Sequence, residues 1–526
     1  MPAPPPLPRL LLPASLFVCL GCGALALLLG MDASWDLRNY HYYNGWAVLH
    51  GHLGRDVLVS QIPSFFNPLL DVPYAWAAER LPARAVGFLQ GMVHGLNFPL
   101  LFAIAWQILD LRGGRERGLA AGVLALAGMA GAGTLSEIGT VFWDDVVSLG
   151  MLAAVLTLVT HWRGLADGPL GRTGLLAAAA GLPAGLAFGL KQPEVIYCVG
   201  LCAGLLAADL PVWRRLWLAF WFGIGVLAGL GLGGGWWMAH LWHAYGNPLF
   251  PFFNQIFKSP WGLADPYRDP GFLQHGVVDM LTFGFRFPFD TALAAEAEFR
   301  DFRVLALEIL VPLAALAGLA RLNPPAGMIR PGPARWLLAA AVVTYAVWVM
   351  LFCIYRYLIP LEMLAPLLAV AALEMLPLPR RPLIAAALVA LLAATTWPAD
   401  WLRVPWADKA VAVSLPAIER PDQSLVLISG HEPLSFLIPA FPPGMRFLRI
   451  DSTFTLTEGD TGFRHLFGGT IGGWQGPIYS LHIPTEEHDV VRKLAEYGLA
   501  LGPCRDNVTS PIGAAPYRLC PTQRMR

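Results

Sequence analysis

Long apolar runs recur along most of this chain, separated by short segments that carry charges, glycine or proline. A bilayer core of about 30 Å is crossed by a helix of roughly 20 apolar residues, so runs of this length predict membrane-spanning helices. The pattern predicts about eleven spans. They cover residues 9–30, 86–110, 117–135, 146–162, 173–190, 194–210, 215–238, 304–321, 336–352, 355–374 and 381–397.

Composition agrees with a lipid-solvated chain. The 526 residues are 56% hydrophobic and 14% charged, whereas soluble domains are about 25% charged. Lys+Arg and Asp+Glu both number 36, so no basic field favours nucleic-acid binding. The first run is longer than a usual signal-peptide core and is followed by ten further runs, and we interpret it as a retained anchor.

Arginine is distributed unevenly between alternate loops, which predicts an orientation. With a cytoplasmic N-terminus, the short outer loops contain only Lys191 and Arg356 as basic residues. An excess of basic residues marks cytoplasmic loops. An odd number of spans then places loops 31–85 and 239–303 and all residues after 397 outside. The short cytoplasmic loops contain Arg112, Arg115, Arg117, Arg163, Arg172, Arg214, Arg215, Arg321, Arg330, Arg335, Arg380 and Arg381.

Residues 398–526 are more polar and predict a small α/β domain outside the membrane, after a transmembrane domain over 1–397. Strand-like runs cover 424–429 and 446–450, and a helical pattern covers 485–497. Cys504 and Cys520 lie in this domain, in a compartment where disulfides persist, which predicts a bond between them. Two free buried thiols are the alternative.

The first outer loop carries two carboxylates, Asp32 and Asp36, just after the first predicted helix. A carboxylate beside a low-dielectric wall has raised basicity, so either one is a candidate general base. The aromatic residues that follow, including Tyr40 and His41, are candidate loop contacts to a ligand. An interfacial aromatic belt is the alternative interpretation.

A second acidic pair, Asp144 and Asp145, lies in the short outer loop before the fourth predicted span. Adjacent carboxylates near lipid are costly unless a cation neutralises them. Oxygen ligands favour Mg²⁺ or Mn²⁺, so the pair is a candidate divalent-metal site. Acidic residues at a solvated helix N-terminus are the alternative.

Lys191 and Arg356 are candidates for binding a phosphate at the outer face. Arginine grips a phosphate with a bidentate fork, and lysine acts as a point charge. Both residues are placed against the trend that favours cytoplasmic positive charge. Contact with lipid headgroups is the alternative for each of them.

These features come in a characteristic order. The first loop has Asp36, then Tyr40-His41, Gly51, Asp56 and Asn67-Pro68-Leu69-Leu70; later come Asp144-Asp145, Gly189-Leu190-Lys191-Gln192-Pro193, Tyr245-Gly246-Asn247-Pro248-Leu249-Phe250-Pro251 and Arg356-Tyr357-Leu358-Ile359-Pro360. Over residues 9–397 this order resembles the GT-C superfamily of integral-membrane glycosyltransferases, in particular bacterial members. Leu37 follows Asp36 where protein mannosyltransferases have glutamate, and Gln192 replaces the glycine of aminoarabinose transferases, so their substrates do not carry over.

The resemblance implies transfer of a sugar, with inversion, from a polyprenyl-phosphate lipid to a glycan, lipid or protein acceptor at the outer face of a bacterial inner membrane. It implies that Asp36 is the base and that Arg356 and Lys191 hold the donor phosphate. A metal held by Asp144 and Asp145 is an optional cofactor. The loop 239–303 would close over the site with Glu296 and Glu298.

Three other functions remain open from the sequence. A polysaccharide polymerase or ligase would use a diphosphate-linked donor instead. A lipid or solute transporter would carry midplane charges in repeated halves, which the sequence lacks. A membrane scaffold would use the outer domain for binding alone.

Overall fold

The computed structural model describes residues 6–267, 269–322, 327–453, 455–504, 506–513 and 516–525. Helices and strands are numbered in chain order. The α-helices of the described residues are α1 (Leu11–Leu29), α2 (Tyr42–His50), α3 (Asp71–Arg80), α4 (Ala83–His94), α5 (Asn97–Ile108), α6 (Gly114–Met129), α7 (Ala132–Ser136), α8 (Asp144–Thr160), α9 (Trp162–Asp167), α10 (Leu170–Leu190), α11 (Val195–Ala207), α12 (Val212–Tyr245), α13 (Asn254–Phe257), α14 (Val277–Leu281), α15 (Phe283–Arg286), α16 (Arg303–Leu319), α17 (Pro331–Leu351), α18 (Ile359–Glu374), α19 (Arg381–Ala394), α20 (Gly462–Gly473) and α21 (Glu487–Ala495). The strands are β1 (Met31–Asp32), β2 (Arg403–Val404), β3 (Leu425–Ile428), β4 (Arg446–Arg449), β5 (Ile478–His482), β6 (Leu499–Leu501), β7 (Asp506–Val508) and β8 (Tyr517–Arg524).

The expectation of a mostly helical chain with a small C-terminal sheet region is confirmed, but the count of eleven spans is not. Each predicted run contains a helix, yet only six segments of the described residues are long and apolar enough to cross a membrane. Helix α11 has 13 residues, and at about 1.5 Å per residue it is shorter than the hydrocarbon core. The six segments are Leu11–Leu29, Ala83–Ile108, Leu170–Leu190, Val212–Tyr245, Pro331–Leu351 and Tyr355–Glu374.

Helix α18 forms the centre of the helical layer. Every one of its residues is buried, as expected for a helix that is apolar on all sides and surrounded by others. Its two charged residues are Glu362 and the terminal Glu374. The Glu362 carboxylate accepts hydrogen bonds from the backbone N–H of Gly133 at 3.0 Å and of Thr134 at 2.8 Å. This carboxylate satisfies the free N–H groups at the start of α7, so its role is structural.

The arginine-bearing loops lie together at one end of the helices. Arg117 lies 3.7 Å from Asp110, and the backbone N–H of Arg330 donates to the Ile108 carbonyl. Arg214 donates to the carbonyl of Leu165 at 3.0 Å. At the opposite end, β1 and β2 pair antiparallel, which brings the C-terminal ends of α1 and α19 to one side. The loops in which the sequence concentrates arginine thus lie at the end of the helices opposite to β1 and β2.

The C-terminal region folds around a mixed sheet. Strand β3 pairs parallel with β4 and β5, and β8 pairs antiparallel with β5, β6 and β7. Strands β3 and β4 and helix α21 lie within the segments that the sequence predicted. A disulfide joins Cys504 to Cys520, with the Cα atoms 4.9 Å apart.

The C-terminal domain packs directly on the loop 31–85. Buried apolar residues of β3 to β5 share one core with α2 and α3 of the loop. The Arg449 side chain donates to the Val59 carbonyl at 3.0 Å, and Arg38 forms an ion pair with Glu432 at 2.7 Å. The predicted boundary at residue 397 therefore separates the two parts along the chain but not in space.

Candidate active site

Asp36 lies at the start of a π-helical turn, Leu37–His41, that follows β1. Its Oδ2 accepts hydrogen bonds from Arg356 Nη1 at 3.0 Å and from the Tyr40 hydroxyl at 3.3 Å. The Asp36 and Arg356 side chains are 14% and 13% exposed. This pair therefore remains in contact with solvent at the end of the helical layer opposite the arginine-rich loops.

Arg356 is held by two aromatic rings that the sequence did not predict. It follows α17 in a short 3-10 turn, Tyr355–Leu358. Its guanidinium carbon lies 4.4 Å from the ring centre of Phe142 and 5.3 Å from that of Trp401. Its buried Nε has no hydrogen-bond partner among the described residues. The ring faces stabilise the cation and leave N–H groups free for a ligand.

Asp32 has a different environment from Asp36. It is 5% exposed, and its two carboxylate oxygens accept the backbone N–H groups of Ser34 at 2.8 Å and Val141 at 3.1 Å. Burial raises the pKa of Asp32, although these hydrogen bonds and the nearby Arg403 oppose the shift. Asp32 therefore ties the first loop to the segment before α8, and Asp36 is the carboxylate that remains partly exposed.

Asp144 and Asp145 point to different partners. Asp144 Oδ1 lies 2.6 Å from Lys191 Nζ, which also donates to the Phe142 carbonyl at 2.8 Å. Asp145 Oδ2 lies 3.2 Å from His94 Nδ1. Successive residues of a helix are rotated by about 100°, so neighbouring positions at the start of α8 face different sides. Lys191 is thus paired with Asp144.

This donor arrangement does not fit a Mg²⁺ or Mn²⁺ ion held by both aspartates. The charge of Asp144 already faces an ammonium group, and Asp145 faces a histidine. In the parts of the chain that the structure describes, the only grouping of three potential ligands is His482, Cys504 and Cys520. Its two cysteines form the disulfide, which leaves no thiolate to bind a metal.

Two further acids surround Lys191, and we call Glu137, Asp144, Lys191 and Glu194 the Lys191 cluster. Glu137 is 1% exposed and Glu194 is fully buried. The charges of Asp144 and Lys191 act on both glutamates. Burial and then the negative charge of Asp144 raise the pKa of Glu137 well above its ordinary value. The cluster therefore consists of three buried acids around one partly exposed lysine.

The predicted residues converge around Tyr357. The charges of Asp36, Asp144, Glu296 and Arg356 all act on its hydroxyl, and Lys191 Nζ lies 5.8 Å from its ring centre. Glu296 is exposed and comes from the second long outer loop, and Glu298 of the same loop is also exposed. Charges from loops 31–85 and 239–303 therefore act on the same hydroxyl.

Tyr40 and His41 are buried in protein and do not form an interfacial belt. They are 7% and 4% exposed. His41 Nδ1 lies 2.6 Å from Asp71 Oδ1, which also accepts from the indole N–H of Trp143 at 2.8 Å. Asp71 was not predicted as a site residue, although it follows the Asn67-Pro68 turn of the first-loop pattern. These contacts fix the π-helical turn that carries Asp36.

Comparison of the chain with protein families, with curated proteins and with solved structures finds no match.

Proposed function

We propose that this protein is a GT-C-type inverting glycosyltransferase that moves a sugar from a polyprenyl-phosphate lipid to an acceptor hydroxyl at the outer membrane face. One observation carries the proposal. A carboxylate and a guanidinium, Asp36 and Arg356, lie 3.0 Å apart and partly exposed at the ends of apolar helices. Glycosyl transfer from a phosphate needs one group of each kind, a base for the acceptor and a cation for the leaving group.

Asp36 is the base in this reaction. Its carboxylate takes the proton of the acceptor hydroxyl while that oxygen forms a bond to the anomeric carbon of the sugar. The bond between the anomeric carbon and the phosphate oxygen breaks, and the polyprenyl phosphate leaves with the electron pair. Attack opposite the leaving group inverts the anomeric configuration. The proton on Asp36 then returns to water.

Arg356 stabilises the charge that develops on the leaving phosphate. A guanidinium carries five N–H donors, and one of its terminal nitrogens is engaged by Asp36. Contact with the Phe142 and Trp401 rings shields the cation from water, which strengthens its attraction for a phosphate. A bound phosphate also competes with Asp36 for the guanidinium, which frees the carboxylate to accept a proton.

The Lys191 cluster supports this site indirectly. Lys191 donates to the carbonyl of Phe142, and the Phe142 ring lies against Arg356. Lys191 is therefore a positioning residue for the donor-binding arginine. No step of the proposed reaction passes through a metal, because Asp144 and Asp145 face separate partners.

The proposal is tested by substituting Asp36→Asn in protein reconstituted into lipid nanodiscs. The probe is a mixture of polyprenyl-phosphate-linked hexoses and pentoses, with membrane glycolipids and glycans as acceptors. Release of polyprenyl phosphate is measured by mass spectrometry. We expect the wild type to consume at least one donor and Asp36→Asn to lose activity by about 10²–10⁴-fold, the usual contribution of general base catalysis.

Glu458→Gln is the matched control, because it makes the same change at an exposed position of the C-terminal domain. It should keep wild-type activity. Full activity of correctly folded Asp36→Asn would show that the base is a different group. Consumption of diphosphate-linked donors alone would instead assign the protein to the polymerases or ligases, and wild-type protein inactive with every donor would contradict glycosyl transfer.

A further inference from the structure

Five large apolar side chains stand exposed in the second long outer loop. Val277, Val278 and Leu281 of α14 are 71%, 73% and 72% exposed, and Phe285 and Phe289 are 45% and 72% exposed. We call these five residues the 277–289 patch. Several large apolar side chains exposed close together along a folded segment are typical of a contact with a membrane or another molecule.

The segment that carries the patch is firmly packed on its other side. Phe283 and Phe287 are fully buried, with ring centres 5.5 and 6.1 Å from that of Trp348. The backbone N–H of Gly284 donates to the Glu308 carboxylate at 3.1 Å. Because α16 and α17 hold the segment from beneath, the patch is a fixed outward face.

The patch continues an apolar surface that already faces away from the protein. Met350 and Val342 of α17 are 60% and 48% exposed, and Leu313 and Ile309 of α16 are 46% and 44% exposed. Residues four and eight positions apart share one face of a helix, so each helix presents an apolar stripe outward. Helix α17 is long and apolar enough to cross a membrane. Its Trp348 packs against α15, so the patch sits where this surface ends.

The geometry points to insertion of the 277–289 patch into the outer interface of the bilayer. Its apolar side chains lie at the boundary of the acyl chains, as in interfacial helices. The polar side chains of the same segment are paired, since Arg286 Nη1 lies 2.7 Å from Asp279 Oδ1. This partly exposed ion pair faces the headgroups. The lipid surface is the occupant because the patch extends the apolar face of α16 and α17.

Insertion brings the lipid boundary close to the candidate active site. The ring centre of Phe287 lies 5.6 Å from that of Tyr355, which directly precedes Arg356. On the proposed function, a lipid-borne phosphate reaches Arg356 from this side of the molecule. The insertion itself does not depend on glycosyl transfer, and its test contains no sugar donor.

The test measures the environment of spin labels in vesicles of phosphatidylethanolamine and phosphatidylglycerol at low protein density. Labels are attached to Val278→Cys and Leu281→Cys in full-length protein whose free cysteines are replaced by alanine. Met350→Cys supplies the lipid reference, and Val491→Cys, 47% exposed on α21, supplies the aqueous reference. Collision with oxygen reports lipid, and collision with a nickel chelate reports water.

We expect both labels in the patch to resemble Met350→Cys, with several-fold more collision with oxygen than with nickel. Labels that resemble Val491→Cys would overturn the proposal. Immobile labels reached by neither reagent would also overturn it, because they would show that protein covers the patch. The spin-label measurement does not depend on activity. A failure of the proposed glycosyl transfer can therefore be told apart from a failure of the proposed insertion of the patch.

Discussion

The Asp36–Arg356 pair and the Lys191 cluster both place a cation beside an acid near helix ends, but their acids differ in burial. Asp36 is 14% exposed and Asp144 is 1% exposed, whereas the cations Arg356 and Lys191 are 13% and 17% exposed. Buried polar atoms without a hydrogen-bond partner among the described residues occur in both places, at Arg356 Nε and at the carboxylate oxygens of Glu194. In the Lys191 cluster, one ammonium lies 2.6 Å from the Asp144 carboxylate, and its charge also acts on Glu137 and Glu194.

This difference assigns a separate role to each pair. A buried charge depends on its partner, because removal of one partner leaves the other without water or counter-charge. A partly exposed charge can be hydrated when its partner moves to a ligand. The Lys191 cluster is therefore expected to maintain the fold, and the Asp36–Arg356 pair is expected to serve chemistry.

Lys191→Met should have the largest effect on stability. It leaves Asp144 buried beside Glu137 and Glu194 with no neutralising cation, so we expect a loss of about 3–5 kcal/mol in the free energy of unfolding. Thermal unfolding in detergent measures the loss. Arg356→Met is the matched variant. It should lower the free energy of unfolding by only about 1–2 kcal/mol, because the partly exposed Asp36 carboxylate can then be hydrated. Equal losses in the two variants would remove the distinction between the pairs.

A second substitution identifies the cause of that loss. Lys191→Met combined with Asp144→Leu removes both charges of the closest pair. We expect the double variant to be more stable than Lys191→Met alone, because the uncompensated buried carboxylate is gone. Additive losses would indicate that packing, and not charge, explains the effect of the single variant.

Arg356→Ala should reduce transfer more than it reduces stability. Removing one preorganised donor to a developing anion costs about 10²–10³-fold in rate. We expect this loss in kcat/KM for the lipid-phosphate donor, measured with donor varied and acceptor saturating, and a smaller change in acceptor KM. Arg356→Lys keeps the charge without the bidentate fork and should recover part of the activity. Equal losses for donor and acceptor would indicate structural damage.

Glu137→Gln should change how stability depends on pH. The pKa of Glu137 is raised above its ordinary 4.5 by burial and by Asp144, so folded Glu137 stays protonated after the unfolded chain has ionised. Its contribution is complete below pH 4.5 and is lost as pH rises toward the folded-state pKa, by about 1.4 kcal/mol per pH unit. Glutamine has no such transition.

Unfolding free energies of wild type and Glu137→Gln at pH 5, 6.5 and 8 measure this effect. We expect the variant to gain stability relative to wild type as pH rises. A constant difference between the two proteins over this range would show that Glu137 is ionised in the folded state.

Tyr40→Phe should have the smallest effect. It removes a hydroxyl that donates to Asp36 at 3.3 Å, and one hydrogen bond contributes about 0.5–1.5 kcal/mol. We expect a change in kcat/KM of roughly 2- to 12-fold with little change in stability, since the ring remains in place. Kinetics and thermal unfolding of the same preparation check both expectations. A loss as large as that of Asp36→Asn would make Tyr40 part of the proton-transfer machinery.

Much of the fold was predictable because apolar helices are a local property of the sequence. All predicted apolar runs contain a helix, and the strand patterns at 424–429 and 446–450 became β3 and β4. The count of eleven spans is not confirmed, because several predicted runs contain helices shorter than a bilayer core. Helices α11 and α19 have 13 and 14 residues, whereas the run 86–110, although interrupted after His94, is still one of the six long apolar segments.

The candidate site was predictable as a set of residue types, but not as a set of contacts. Arg356 stood out because it is one of two basic residues in the predicted short outer loops, and Asp36 stood out as a carboxylate just after the first predicted helix. Phe142 and Trp401 gave no such signal, because an aromatic residue near a predicted helix end is common. Only the tertiary structure places both rings, which contact each other, beside the Arg356 guanidinium.

The sequence by itself determined that this chain is mostly helical and apolar, that its charges alternate between loops, and that acids and two cations share one set of short loops. Only the tertiary structure decided which of the two acids in the first loop stays partly exposed and pairs with a cation. Asp32 and Asp36 are four positions apart, yet Asp32 binds the backbone at Val141 and Asp36 binds Arg356, 320 positions away. Burial and charge pairing depend on such distant neighbours, and local sequence does not record them.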